Sequence, residues 1–244
     1  MRMDLRTYFA VAVCALALLG ACGRAQTTAA QATALDKSLA VEIARFVSAD
    51  QAAPPAACQV LFVGSSSIVR WKSLAADMAP IPVINRGFGG SHIEHVDRWF
   101  DKIVAPYRPR AIVFYAGDND IDAGIPVERV VDDFDTFLSL KTAALGVTPV
   151  YFISVKPSKA RFAQLGLQAQ VNEAIRERAA KRADLVFIDV VAPMLDHGKP
   201  RELFVADGLH MTAEGYALWT RLVRAALLPN SDAEERSCRQ ANQI

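Results

Sequence analysis

Long apolar runs are scarce in these 244 residues. The run from Tyr8 to Ala21 falls short of the about 20 apolar residues that a membrane-spanning helix needs, so no transmembrane span is expected. Charge of one sign is missing too. The 27 Lys and Arg stand against 26 Asp and Glu, a net +1 with no basic run, which disfavours nucleic acid as a partner. No internal repeat is visible. Histidines number four; the pair His92 and His95 lacks an evident third ligand, a helix face accounts for it better than zinc, and no metal is expected. Gly87-x-Gly89 after a strand invites a dinucleotide reading, but His92 stands where the third glycine belongs, and no cofactor is expected.

What is present suffices for a core. The chain is 52% hydrophobic, 22% charged and 8% aromatic, and its length suits one compact α/β domain with a short appendage.

The first segment reads as an address. Tyr8 to Ala21, flanked upstream by Arg2 and Arg6, has the make-up of a signal-peptide core, with Asp4 a mild departure. Its end, Leu19-Gly20-Ala21-Cys22, resembles the lipobox of bacterial lipoproteins, which implies lipidation of Cys22 and a lipid anchor in the membrane. Gly23 after the cysteine is compatible, by that family's sorting rule, with the periplasmic face of the outer membrane. An ordinary secretory signal is the alternative, with the protein then in the periplasm or secreted. Residues 1–21 are thus expected to be removed. Export also changes how cysteines read, because Cys58 and Cys238 remain in a compartment where disulfides persist.

Residues 22–34 hold the lipobox Cys and a small polar linker, and 35–57 an amphipathic helix over Leu35 to Asp50 and a connector with the Pro54-Pro55 stop. From 58 to 230, short β-branched runs alternate with helical spacing, the signature of βαβ units. Strands are expected at Val60 to Val63, Pro82 to Asn85, Ala111 to Tyr115, Val147 to Ser154 and Leu185 to Asp189. Helices are expected at Ile93 to Ile103, Val127 to Ala144, Phe162 to Arg182 and Thr212 to Leu227. Five strands with intervening helices predict a three-layer α/β/α, flavodoxin-like fold with a five-stranded parallel sheet. Residues 231–244 read as a C-terminal tail, with the stretch Asn230 to Arg236 polar and expected to be mobile.

In such a sheet, ligands bind at the carboxyl ends of the strands. Gly64-Ser65-Ser66-Ser67 follows the first strand, Gly87-Phe88-Gly89-Gly90-Ser91 the second, Gly117-Asp118-Asn119-Asp120 the third, and a loop with Asp207-Gly208-Leu209-His210 the fifth. These clusters hold the parts that acyl transfer requires. A serine needs a base, a histidine held by a carboxylate serves near neutral pH, and the oxyanion needs donors. Asp207 and His210, three apart, could share one turn. Backbone N–H groups at Ser66 and Gly90 and the Asn119 amide could converge as donors. Each cluster alone has a bland reading, as a helix cap, turn punctuation or a loop-shaping Asx residue. Asp118, Asp120 and Asp122 read as turn-shaping residues rather than metal ligands.

In this order along the chain, the four blocks resemble those of the SGNH hydrolases, also called the GDSL esterase/lipase family. The resemblance spans Gln59 to about Leu228 and implies Ser66 as nucleophile, His210 as base, Asp207 as its orienting carboxylate, and Ser66, Gly90 and Asn119 as the oxyanion hole. One departure stands out: Ser65 replaces the family's Asp, and Ser67 its Leu, so three serines are adjacent. There is no Gly-x-Ser-x-Gly elbow of the α/β-hydrolase kind.

The reading is therefore an exported serine esterase acting on carbohydrate O-acetyl groups, lysophospholipids or short-chain esters. The alternative is a non-catalytic lipoprotein that binds a cell-envelope glycan on the same crest. A Cys58–Cys238 disulfide follows from topology: Cys58 precedes the first strand, and the helix after His210 returns the tail to that same edge. Two free thiols remain the alternative.

Overall fold

The computed structural model describes residues 33–242. The expected signal segment, Cys22 and all but the last two residues of the linker lie outside the described residues. Two units divide the chain, Met1–Val41 and Glu42–Ile244. In the first, described residues 33–41 are helical, starting two residues before the expected Leu35; in the second, residues 42–52 form the helix α1. No helix among the described residues is long and apolar enough to cross a membrane.

The second unit is built on a parallel sheet. Strand β1 (Val60–Gly64) is followed by two short helices, α2 (Ser66–Val69) and α3 (Leu74–Met78), and then by β2 (Val83–Gly87). Helices α4 (Ile93–Arg98) and α5 (Phe100–Ile103) lead to β3 (Ala111–Tyr115), α6 (Asp118–Asp122) and α7 (Val127–Leu145). Strand β4 (Val150–Ile153), α8 (Leu165–Ala179), β5 (Leu185–Ile188) and α9 (Val191–Met194) follow. A small antiparallel pair, β6 (Leu195–Asp196) and β7 (Lys199–Pro200), precedes α10 (Ala213–Leu227) and α11 (Ser231–Ala241).

Strands β1, β3 and β4 are apolar throughout and buried at every residue, as expected where helices cover both faces of a parallel sheet. The strand order is β2-β1-β3-β4-β5, with every pairing parallel. Side chains alternate between two cores. Val60, Phe62, Val113 and Tyr115 join Trp71, Leu74, Met78, Trp219 and Val223 on one face. On the other, Phe114 meets Phe134 and Phe137 of α7 at ring distances of 5.4 and 4.6 Å. The chain winds one way from β1 to β2 and the other way from β3 onward, so the order reverses between β1 and β3. The carboxyl ends of these two strands flank the crevice where such folds bind ligands.

Several boundaries differ from expectation. The helix expected from Ile93 to Ile103 breaks at Trp99, whose φ −110 and ψ 19 depart from helical geometry, and whose ring packs on Phe88 and His95. The fourth strand starts at Val150 rather than Val147, which is 82% exposed beyond the end of α7. The tail expected to be mobile is instead helix α11 through Ala241. Its charge hides this: Arg110 pairs with Glu235 at 2.7 Å, and Tyr151 OH donates to Glu234, so an ion pair and a hydrogen bond rather than an apolar stripe hold it. Cys58 and Cys238 are joined in a disulfide with Cα atoms 5.7 Å apart.

Candidate active site

The turn after β1 is set by Gly64. A Cβ there would lie 1.9 Å from the Tyr115 carbonyl oxygen, and its φ of +128 is one that L side chains rarely adopt. The close approach lets Ser65 N–H donate to the Tyr115 oxygen at 2.9 Å, locking the start of α2 against the end of β3. Three adjacent serines then meet three environments. Ser65 is fully buried and its hydroxyl has no hydrogen-bond partner. The Ser67 hydroxyl is also buried and accepts from Lys156 Nζ at 3.0 Å. Only Ser66 is partly open, and its Oγ lies 2.9 Å from His210 Nε2.

His210 Nδ1 lies 2.7 Å from Asp207 Oδ2. The tautomer that donates Nδ1–H to Asp207 leaves Nε2 to accept from Ser66. The other Asp207 oxygen accepts the backbone N–H groups of Leu209 and His210, each at 2.9 Å. Although the slight burial of Asp207 pushes its carboxyl up, the His210 ring and these two amides outweigh it and hold the carboxyl well below the ordinary range. The loop is fixed from both sides: Val205 N–H donates to the His210 carbonyl at 2.8 Å, and Ala160 N–H to the Gly208 carbonyl at 3.0 Å.

Gly90 and Asn119 are brought together through the residue between Gly90 and His92. The Asn119 amide donates one hydrogen to the Ser91 carbonyl at 2.9 Å, leaving its second hydrogen for another acceptor. Gly90 has φ +79, a left-handed backbone that suits glycine. Phe88 N–H donates to the Gly64 carbonyl at 2.9 Å, which ties this loop to the Ser66 turn. Glu42 of α1 accepts the Gly89 N–H at 3.2 Å. As the first residue of α2, Ser66 carries an N–H with no intrahelical acceptor.

Reading the sequence alone missed a buried ion cluster under this crest. Lys156, 1% exposed, reaches Ser67 Oγ and Tyr115 OH at 3.0 Å each and Asp118 Oδ2 at 3.3 Å. Arg161 adds a second cation 3.3 Å from Asp118 and bonds Asp122 at 3.1 Å. Burial pushes the Lys156 ammonium down against the opposing pull of Asp118. Burial would raise Asp118, but Lys156 and Arg161 outweigh it and hold that carboxyl below its usual value. The signal was available: the loop after β4, Ser154 to Arg161, also leaves the carboxyl edge of the sheet.

Other sequence candidates find structural duties. Asp120 accepts the Ile93 N–H at 3.0 Å and starts α4. Glu94 joins His92 and His95, the three placing ligand atoms within 4.8 Å of one another, while Arg98 lies 3.4 Å from the same Glu94 and opposes a cation there.

A serine within hydrogen-bond reach of a carboxylate-held imidazole, at the switch point of a three-layer α/β/α sheet, defines a class of protein equipped for acyl transfer. Residues 48–218 match the GDSL-like Lipase/Acylhydrolase family, and the chain belongs to it. No curated protein matches the sequence. A Streptococcus pneumonia protein provisionally described as a platelet activating factor superposes with TM-score 0.73 at 18% identity, covering 83% of this chain and 99% of its own. A GDSL-like lipase from Bacteroides thetaiotaomicron does so with TM-score 0.66 at 22% identity, over 77% of this chain and 97% of its own. The C-terminal catalytic domain of Streptococcus pneumoniae peptidoglycan O-acetyltransferase A gives TM-score 0.57 at 14% identity, over 73% of this chain and 97% of its own. These identities carry the fold.

Proposed function

We propose that this chain is an exported, lipid-anchored serine esterase that hydrolyses acyl or acetyl esters. The observation that carries the reading is the unbroken line of contacts from Asp207 through His210 to Ser66, at 2.7 and 2.9 Å. In this reading Ser66 Oγ attacks the ester carbonyl while His210 Nε2 takes its proton. The N–H groups of Ser66 and Gly90 and the free amide hydrogen of Asn119 meet the oxyanion. Collapse expels the alcohol, protonated by His210, and leaves an acyl-Ser66 ester. Water, deprotonated by the same imidazole, then releases the acid. Asp207 orients the ring and stabilises its cation throughout. These steps need no metal or cofactor.

The substrate class follows the chemistry: carbohydrate O-acetyl groups, lysophospholipids and short-chain esters all offer an acyl carbonyl to the same machinery. Structural relatives are named as a GDSL-like lipase and a peptidoglycan O-acetyltransferase, both names of acyl-group chemistry. Export and lipidation of Cys22 rest on the Tyr8 to Cys22 sequence, and a disulfide suits an oxidising compartment.

Hydrolysis of p-nitrophenyl acetate, with covalent labelling by a fluorophosphonate, tests the reading. Both are expected in the wild type and both vanish in Ser66→Ala, whereas Ser65→Ala retains measurable turnover. No turnover and no labelling in the folded wild type would leave the glycan-binding alternative. Metabolic labelling with a radioactive fatty acid, lost in Cys22→Ser, tests the anchor.

A further inference from the structure

Lys156 is an ammonium placed where a packing residue would be expected. Its loop is rigid, because Asn172 of α8 both accepts the Val155 N–H at 2.7 Å and donates to the Val155 carbonyl at 3.0 Å. Its ammonium has three hydrogens, and three acceptors surround it: Ser67 Oγ, Tyr115 OH and Asp118 Oδ2. Tyr115 OH in turn donates to Asp118 at 3.1 Å. A methionine would fill similar volume without removing a charge from water, so packing alone gives this group no reason to be charged.

The partners supply a reason. Ser67 follows Ser66 directly, and Asp118 directly precedes Asn119. We propose that Lys156 is a positioning residue of the acyl-transfer site, clamping the turn that carries Ser66 to the turn that carries Asn119 so that the donors for the oxyanion stay in register. The inference rests on the esterase reading above. These two turns belong to β1 and β3, the strands that flank the switch point, and past the last backbone bond between them, Ser65 N–H to the Tyr115 carbonyl, the sheet no longer holds them. Tyr216 OH strengthens the same floor by donating to the Ser67 carbonyl at 2.9 Å. With Arg161 bridging Asp118 and Asp122, the two cations are matched by two carboxylates, so the cluster ties the turns together without adding net charge under the crest. Asp207 acts on Lys156 only through space and no hydrogen bond joins the clamp to the Asp207–His210 pair, so its loss falls first on the oxyanion donors while ground-state binding persists.

The test uses the full chain with Lys156→Met/Asp118→Asn, which removes both charges together and avoids a lone buried ion, alongside Ser67→Ala and Tyr115→Phe. The double variant is expected to keep KM for p-nitrophenyl acetate within about twofold while kcat falls roughly 10–10²-fold, the scale of a displaced transition-state donor. Fluorophosphonate labelling of Ser66 should persist but slow in parallel, and a boronate transition-state analogue should lose affinity by the same factor as kcat. Ser67→Ala and Tyr115→Phe should each lower kcat severalfold at unchanged KM. A folded double variant with kcat within twofold of wild type overturns the proposal, as does a rise in KM with kcat intact. Should the double variant fail to fold, wild-type kcat in both single variants overturns it equally. A wild type with neither turnover nor labelling instead removes the esterase reading, and the proposal falls with it.

Discussion

The side-chain amide of Asn119 donates to the carbonyl oxygen of Ser91 across 28 residues of chain, at 2.9 Å. One hydrogen is thereby spent on fixing the loop after β2, and the other is left for a ligand. Asn119→Ala should lower kcat by roughly 10²–10³-fold, the scale of one lost oxyanion donor, with a small additional loss of stability from the freed Ser91 carbonyl. Steady-state kinetics with a melting curve check both; unchanged kinetics would remove Asn119 from the oxyanion hole.

The Asp207 carboxyl is held well below its ordinary range despite its slight burial, by His210 and two backbone amides, so it stays ionised far into acid. In the proposed mechanism its orienting charge is present from acid to alkaline pH. Asp207→Asn should therefore depress kcat by about 10³–10⁴-fold at every pH rather than shift the profile, because the amide cannot hold the same tautomer of His210. A mutant profile that recovers to wild-type rates at high pH would contradict this role.

Stability should decline toward alkaline pH. Burial raises the Asp97 carboxyl to about 8, assisted by Asp133 and Glu94, and the Asp120 carboxyl to about 7. A raised carboxyl binds its proton more tightly in the folded chain than in the unfolded one. Its contribution is whole below about pH 4 and is lost as pH climbs through 7 to 8. Asp97→Asn should flatten this decline and raise Tm at pH 9 by several degrees, at roughly 2–4 °C per kcal/mol for a domain of this size. Melting curves from pH 5 to pH 9 decide it, and a steeper decline in the variant would count against the assignment.

Cys58 precedes β1 and Cys238 lies on α11, so their bridge is at the edge of the sheet opposite Ser66. It closes a separation of 180 residues, for which chain entropy gives a stabilisation of about 5 kcal/mol as an upper figure. Cys58→Ser/Cys238→Ser should melt well below the wild type yet keep kcat and KM at temperatures where it is folded. Free thiols at both positions in protein recovered from its native compartment would dismiss the bridge.

Gly64→Ala should fail more severely than any change at the neighbouring serines. The added methyl would sit 1.9 Å from a backbone oxygen of the adjacent strand, and neither can move without breaking the sheet. Little folded protein is expected on expression, whereas near-wild-type yield and activity would show that β1 and β3 can part at this end.

Composition and local pattern determined much of this protein. The apolar runs at β1 and β3, the 3.6-residue spacing of α7 and α10, and four polar clusters after strands are local properties, readable because burial on two faces demands continuous hydrophobicity and turns demand Gly, Asp, Asn and Ser. Strand order was not local: nothing in a strand's own residues says that β1 lies between β2 and β3. Among three adjacent serines, motif position in the family resemblance picked Ser66, but nothing local showed their surroundings. Tertiary packing gives each its own, burying Ser65, setting Ser67 on Lys156, and leaving Ser66 facing His210, 144 residues away. The same holds for Lys156, which looks like any loop lysine until Asp118, Tyr115 and Ser67 converge on it, and for α11, whose ion pair and hydrogen bond reach back to Arg110 and Tyr151. Partners that stabilise a charge come from distant chain segments, and only the folded sheet brings them within hydrogen-bond range.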